Sequence, residues 1–102
     1  VKAKNLVIDN VGTGAVSKDG SLLQIHNSNI SNCSNVGLMA YIKKPEYGPG
    51  EIIAENMIFN GATKISRAQT NNVIEIDGKI ISTEEIDVEK LYENEMHSGF
   101  RQ

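Results

Sequence analysis

Short apolar runs alternate with polar residues and recur at similar intervals along most of the chain. Aligning these runs places Ile8, Ile30, Ile58 and Ile81 at equivalent positions, with spacings of 22, 28 and 23 residues. Five residues earlier, a second column of equivalent positions consists of Ala3, Ile25, Ile53 and Ile76. Repeats of this length, built from short apolar strands, predict a solenoid in which successive repeats stack on one another.

Two strands are predicted in each repeat. They fall at residues 5–8 and 15–17 in the first repeat, and at residues 22–30 and Val36–Tyr41 in the second. The intervening turns are rich in Asn, Asp and Gly, the residues that favour turns. Residues 43–50 hold both prolines and account for the longer spacing of 28, so they are predicted to form a projecting loop.

The fourth repeat allows two interpretations. Residues 73–81 either continue the solenoid or form a tight hairpin in which Asp77-Gly78 joins residues 73–76 to residues 79–82. Both alternatives place the end of the strand region near residue 82.

A helical pattern replaces the strand pattern over residues 83–96. Ser82 begins a capping-box sequence and Asp87 is a second possible N-cap. The apolar positions with helical spacing are Val88, Leu91, Tyr92 and Met96. We expect this helix to cover the open end of the last repeat, and residues 97–102 to fray.

Composition narrows the classes of protein further. The chain has 102 residues, enough for one small domain, and a single cysteine, which excludes an internal disulfide. No apolar run approaches the roughly 20 residues of a membrane span. Residues 1–82 carry eight basic and seven acidic side chains, whereas residues 83–102 carry two and six. This distribution gives no electrostatic reason to expect nucleic-acid binding.

The stretches NSNISNCSNVGLMAY and YIKKPEYGPGEIIAEN resemble the right-handed parallel β-helix repeat superfamily. The resemblance implies an all-β fold: a right-handed, single-stranded solenoid of about four coils over residues 3–82, closed by the short amphipathic helix at residues 83–96. The superfamily includes pectate lyases, polygalacturonases, tailspikes and adhesins, so the resemblance implies a fold and not an activity. Because residues 3–11 already occupy a repeat, we expect the chain to be the C-terminal piece of a longer protein.

Equivalent asparagines follow three of the aligned strands, at Asn10, Asn32 and Asn60. Stacked amides of this kind can form hydrogen bonds along a solenoid and satisfy a buried turn. The alternative interpretation is that asparagine occurs here because it favours turns.

Few residues suggest chemistry. His26 and Cys33 do not resemble a catalytic pair, because their equivalents in neighbouring repeats are unrelated residues, and no metal or cofactor motif is present. The candidate binding residues belong to the insertion and its flank: Tyr41, Lys43, Lys44, Glu46 and Tyr47. Aromatic and cationic groups on a loop can stack on sugars and pair with uronate carboxylates, although a solvated insertion has the same composition.

The expected function is a non-catalytic structural or glycan-binding β-helix end from a bacterial secreted or cell-surface protein. One alternative is the C-terminal part of a carbohydrate-active enzyme whose catalytic residues lie upstream. Another is a protein-interaction module, in which the open N-terminal coil stacks on a second copy of the chain to form a homodimer.

Overall fold

The computed structural model describes the backbone of residues 1–90 and 98–101 and the side chains of residues 1–90. The strands are β1 (Lys2–Lys4), β2 (Val7–Asp9), β3 (Thr13–Lys18), β4 (Leu22–His26), β5 (Asn29–Ser31), β6 (Val36–Tyr41), β7 (Glu51–Glu55), β8 (Ile58–Asn60), β9 (Lys64–Gln69), β10 (Val73–Ile76), β11 (Lys79–Ile80), β12 (Thr83–Glu84) and β13 (Ser98–Arg101). A 3-10 turn covers Pro45–Tyr47, and residues 88–90 are helical.

The strands form three sheets. Sheet A has the order β1-β4-β7-β10-β11, sheet B the order β2-β5-β8, and sheet C the order β12-β9-β6-β3-β13. Every pairing is parallel except that of β10 with β11. Strands three apart in the chain are therefore neighbours throughout β1 to β9. The prediction of an all-β fold with parallel sheets is confirmed, and the arrangement is compatible with a solenoid.

The predicted register is correct between the first two repeats and shifted by one residue in the third. Ile8 lies opposite Ile30, as expected, but Ile30 lies opposite Phe59. The prediction that Ile58 is interior is wrong, since its side chain is 60% exposed. In sheet A, likewise, Ala54 and not Ile53 lies opposite Ile25. A shift of one residue moves every side chain of a strand to the other face.

Each of the first three repeats contains three strands, one more than predicted. Asn27 adopts a positive φ of 50° and divides the predicted 22–30 strand into β4 and β5. Asn5 and Asn56 mark the same corner in the neighbouring repeats, with φ of 59° and 54°. Asparagine reaches this left-handed conformation more readily than most residues, so the chain turns from sheet A to sheet B within two residues.

The hairpin interpretation of the fourth repeat is confirmed. β10 and β11 pair in antiparallel fashion, with Ile76 opposite Lys79. Asp77 and Gly78 between them both have positive φ, 49° and 82°, as a type I′ turn requires. Sheet A therefore ends in a hairpin.

Apolar side chains fill the space between the sheets. This inner cluster contains Ile8, Ala15, Leu23, Ile25, Ile30, Cys33, Leu38, Ala40, Ile52, Ala54, Ala68 and Ile74. The interior is narrow: a Cβ at Gly14 would lie 2.5 Å from the carbonyl oxygen of Gly37 and 2.6 Å from Ile30 Cγ2. Small residues on adjacent strands of sheet C thus allow the backbone to approach the core closely.

Sheet C is buried on its outer face as well. Val16, Val36, Met39 and Tyr41 form a second apolar cluster, against which Ile86 and Val88 pack. All six residues of β6 are consequently buried. We call residues 83–90 the C-terminal strap, because they follow β9 and cover this outer face.

The C-terminal segment differs from the predicted end cap. Thr83 and Glu84 form β12, so the helix does not begin at Ser82, and the Asp87 Oδ1 atom accepts the Lys90 N–H at 3.1 Å as an N-cap. Val88 packs on the side of sheet C, while the other predicted helix-face residues, Leu91, Tyr92 and Met96, lie outside the described residues.

The tail predicted to fray contains β13. This strand pairs with β3, so that Ser98 lies opposite Thr13 and Phe100 opposite Ala15. In sheet C, the edge that was expected to be open at the N-terminal coil is therefore occupied by the C-terminal strand.

The register predicts a contrast between two isoleucines. Ile30→Ala should lower the free energy of unfolding by about 2–5 kcal/mol, because Ile30 is fully buried in the inner cluster. Ile58→Ala should change it by less than about 0.5 kcal/mol, as expected of an exposed side chain. Urea denaturation of both variants measures the difference, and equal losses would contradict the register.

Candidate functional site

The structure does not bring the predicted loop residues together as a binding surface. Tyr41 is 2% exposed and belongs to the apolar cluster beneath the strap. Its ring is therefore covered by protein, and the prediction that it stacks on a ligand is wrong. Glu46 and Tyr47 lie on the 3-10 turn and are exposed, Tyr47 to 61%.

The loop folds back onto the β3–β4 turn and does not project freely. Asp19 Oδ1 accepts the backbone N–H groups of Lys43 and Lys44, each at 2.7 Å. The Gly20 N–H donates to the Pro49 carbonyl at 3.0 Å. Gly20 has a φ of 80°, and a Cβ there would clash with the carbonyl oxygen of Tyr47. The cationic residues of the loop are thus held by their backbone against a neighbouring turn.

The predicted asparagine ladder fails at its third member. Asn60 lies opposite Ser31, and Gly61 occupies the corner that corresponds to Asn10 and Asn32. A Cβ at Gly61 would lie only 2.7 Å from Asn32 Oδ1. The amide of Asn32 therefore lies against a glycine and not against a third amide.

Asn32 instead bridges two repeats through a carboxylate. The Asn32 Nδ2 atom donates to Asp9 Oδ1 at 2.8 Å, and the Ser31 hydroxyl donates to the same oxygen at 2.9 Å. The hydrogen bonds from Asn32 and then Ser31 hold the pKa of Asp9 below its ordinary value, because they stabilise the charged form. This cluster links the B–C corners of the first two repeats.

An amide ladder does form at the corner between sheets A and B, which the sequence analysis missed. The Asn56 Nδ2 atom donates to Asn27 Oδ1 at 2.6 Å, and the Asn56 N–H donates to Asp77 Oδ1 at 2.8 Å. Asn5 is the first member of the row. The signal was present in the sequence, since Asn5, Asn27 and Asn56 repeat the 22- and 29-residue spacings of sheet A.

A groove of about 310 Å³ runs beside this ladder. The three asparagines line it together with residues from the start of sheet B, namely Leu6, Val7, Ser28, Asn29 and Ile58. Val7, Asn29 and Ile58 lie opposite one another on β2, β5 and β8, so they form one row across the sheet. Val7 and Ile58 are 80% and 60% exposed. An amide at the centre of this row is thus flanked by two exposed aliphatic side chains.

The polar groups of the groove differ in how well they are satisfied. The Ser28 hydroxyl donates to the His26 carbonyl at 2.9 Å and accepts the Leu6 N–H at 3.1 Å. The Asn29 Oδ1 atom, by contrast, is buried and has no hydrogen-bond partner in the part of the chain that the structure describes. A buried acceptor without a donor is uncommon and requires an explanation.

The remaining ionisable candidates do not assemble into a reactive centre. His26 lies on the outer face of sheet A, with Nδ1 3.9 Å from Glu55 Oε2, whereas Cys33 belongs to the inner cluster. Among the described residues, no three His, Cys, Asp or Glu side chains are grouped to hold a metal ion. Within the same residues, no helix has the length and apolar character to cross a membrane.

Glu84 fixes the strap to sheet C. Its Oε1 atom accepts hydrogen bonds from Arg67 Nη2 at 2.9 Å and Nε at 3.1 Å, and its Oε2 atom accepts one from Lys64 Nζ at 3.0 Å. These bonds, first from Arg67 and then from Lys64, hold the pKa of Glu84 below its ordinary value of 4.5. The carboxylate therefore joins β12 to β9 across their parallel pairing.

Comparison of the chain with protein-family models, with curated proteins and with solved structures found no match. The site is therefore interpreted from its own geometry.

Acid should loosen the strap through Glu84. Because the folded-state pKa of Glu84 is depressed, its ion pairs stabilise the fold at pH values above the ordinary pKa, and this contribution is lost as the pH falls through the folded-state value. The melting temperature of Glu84→Gln should therefore depend less on pH between about 5 and about 3 than that of the wild type.

Glu85→Gln serves as the matched control. Glu85 lies beside Glu84 and contacts the Thr70 hydroxyl at 3.5 Å, but it forms no ion pair with any described side chain. It should retain the acid sensitivity of the wild type. Identical pH profiles for Glu84→Gln and the wild type would contradict this role of Glu84.

Proposed function

We propose that this chain is a non-catalytic structural module, a section of a right-handed parallel β-helix with about four coils. The observation that carries the proposal is the continuous parallel register of the three sheets. Strands β1, β4, β7 and β10 follow one another at 22, 29 and 22 residues, and β2, β5 and β8 follow at 22 and 29. Such a constant rise from repeat to repeat is what a solenoid requires.

The charged contacts support a structural role. The carboxylate of Asp9 links the first two repeats, and that of Glu84 links β12 to β9. Both carboxyl groups with a shifted pKa are thus engaged in holding neighbouring strands together. Perturbed groups can equally mark a catalytic site, but here each one has structural partners that account for its shift.

The covering of sheet C favours sheets A and B as the surfaces that meet other molecules. The strap packs on the outer face of sheet C, and β12 and β13 form its two edges. The setting we propose, a bacterial secreted or surface protein, rests on the sequence resemblance. A homodimer stacked through the whole N-terminal coil is the less favoured alternative, because β13 already pairs with β3 there.

Turnover of polysaccharides tests the proposal against the enzymatic alternative. The purified chain should release neither reducing ends nor unsaturated uronates from pectate, alginate, xylan or cellulose, because its ionisable groups serve as links between strands. Heat-denatured protein provides the background rate. Product formation above that background, lost in His26→Ala or Glu55→Ala, would overturn the non-catalytic assignment.

A further inference from the structure

We propose that the groove at the corner of sheets A and B is a binding site for a neutral carbohydrate. The inference uses the proposed function only for the fold and adds a ligand, a site and a mode of recognition. It replaces the loop around Tyr47 as the candidate site for a glycan.

The first argument is the buried acceptor. Asn29 Oδ1 lies in the groove wall without a partner among the described residues. Leaving such a group unpaired costs free energy, and a ligand that donates a hydrogen bond to it removes that cost. A hydroxyl group of a sugar is a donor of the required kind, and its oxygen can accept a bond at the same time.

The second argument is the supply of neutral donors around that acceptor. The Nδ2 atom of Asn27 and the side chain of Asn5 make no hydrogen bond to any described group, although Asn27 Oδ1 accepts from Asn56. None of the residues that line the groove carries a charge. Amide donors and acceptors without a charged group favour a neutral ligand that bears several hydroxyls.

The spacing of the groove separates a sugar from an extended peptide. Equivalent residues of adjacent strands recur about every 4.8 Å, so the asparagine row has that period. An extended peptide lying along the row presents equivalent groups only about every 6.7 Å, twice its rise per residue. The hydroxyls around one sugar ring lie closer together than this and suit the shorter period.

The dimensions and the walls of the groove agree with this ligand. A volume of about 310 Å³ is at the lower end of the range for small-molecule sites and suits one or two sugar rings. Val7 and Ile58 provide exposed aliphatic surface on either side of Asn29. The C–H faces of a sugar ring can pack on these side chains while its hydroxyls reach the amides.

The experiment follows backbone amide signals of the full chain by NMR during titration with neutral hexaoses of glucose, mannose and N-acetylglucosamine. Hexagalacturonate serves as the charged comparison, and a hexapeptide of Ser, Thr and Gly as the peptide comparison. At least one neutral hexaose should shift the signals of residues 5–7, 27–29 and 56–58, with a dissociation constant tighter than about 1 mM.

Two variants remove the recognition groups without removing the fold. Asn29→Leu replaces an unpaired amide by an apolar group of similar size, so the melting temperature should stay the same or rise while binding weakens at least tenfold. Asn27→Gly keeps a residue that tolerates the positive φ of 50° but removes the amide, and it should also weaken binding.

Asn71→Gly is the matched control. Asn71 has a φ of 74°, its side chain makes no hydrogen bond to a described residue, and it lies outside the groove. This variant should bind as the wild type does.

Three results would overturn the proposal: no neutral hexaose binding more tightly than about 1 mM, preferential binding of hexagalacturonate or the peptide, or unchanged affinity in a folded Asn29→Leu variant. Each leaves the structural assignment standing, whereas turnover would overturn that assignment and leave a binding groove intact.

Discussion

The structure depends on corners that turn the chain from one sheet to the next within one or two residues. Such corners require a backbone in the left-handed region, which costs most L-residues about 1–2 kcal/mol. Asparagine and aspartate reach it more readily, and glycine reaches it freely. The described residues with positive φ are accordingly Asn5, Asn10, Asp19, Asn27, Asn32, Asn56, Asn71 and Asp77, together with Gly20, Gly48, Gly61 and Gly78.

These corners also explain where the polar contacts of the molecule lie. A short side chain at a left-handed corner points away from the inner cluster and meets its equivalent in the adjacent repeat. The Asn56–Asn27 bond and the contacts of Asp9 with Asn32 and Ser31 both arise in this way. The candidate groove is a consequence of the same constraint, because the corner row supplies the amides and the adjoining sheet supplies Asn29.

The repeat and the fold class could be predicted from the sequence, because apolar residues at a constant spacing report stacking directly. The register of the third repeat could not be settled from that pattern alone. Met57, Ile58 and Phe59 are three consecutive apolar residues, so a loop one residue longer fits the apolar pattern equally well. Alignment of Asn56 with Asn27, in place of Asn60 with Asn32, resolves this ambiguity through the corner geometry.

The burial of Tyr41 was harder to foresee. Alternation along β6 places Tyr41 outward, and an outward tyrosine beside a basic loop resembles a ligand-binding residue. The continuous apolar run of β6 was the counter-indication, since strands without polar alternation are buried on both faces. What covers the outer face, Ile86 and Val88, comes from a segment whose helical pattern predicted a cap at the end of the solenoid.

The central claim is the parallel register at a spacing of 29 residues across the insertion. Nuclear Overhauser effects between side chains across sheets A and B test it most directly. The structure predicts cross-peaks that join Ile30 to Phe59 and Ile25 to Ala54. Cross-peaks that join Ile30 to Ile58 and Ile25 to Ile53 in their place would contradict the register, and with it the groove and the corner ladder built on it.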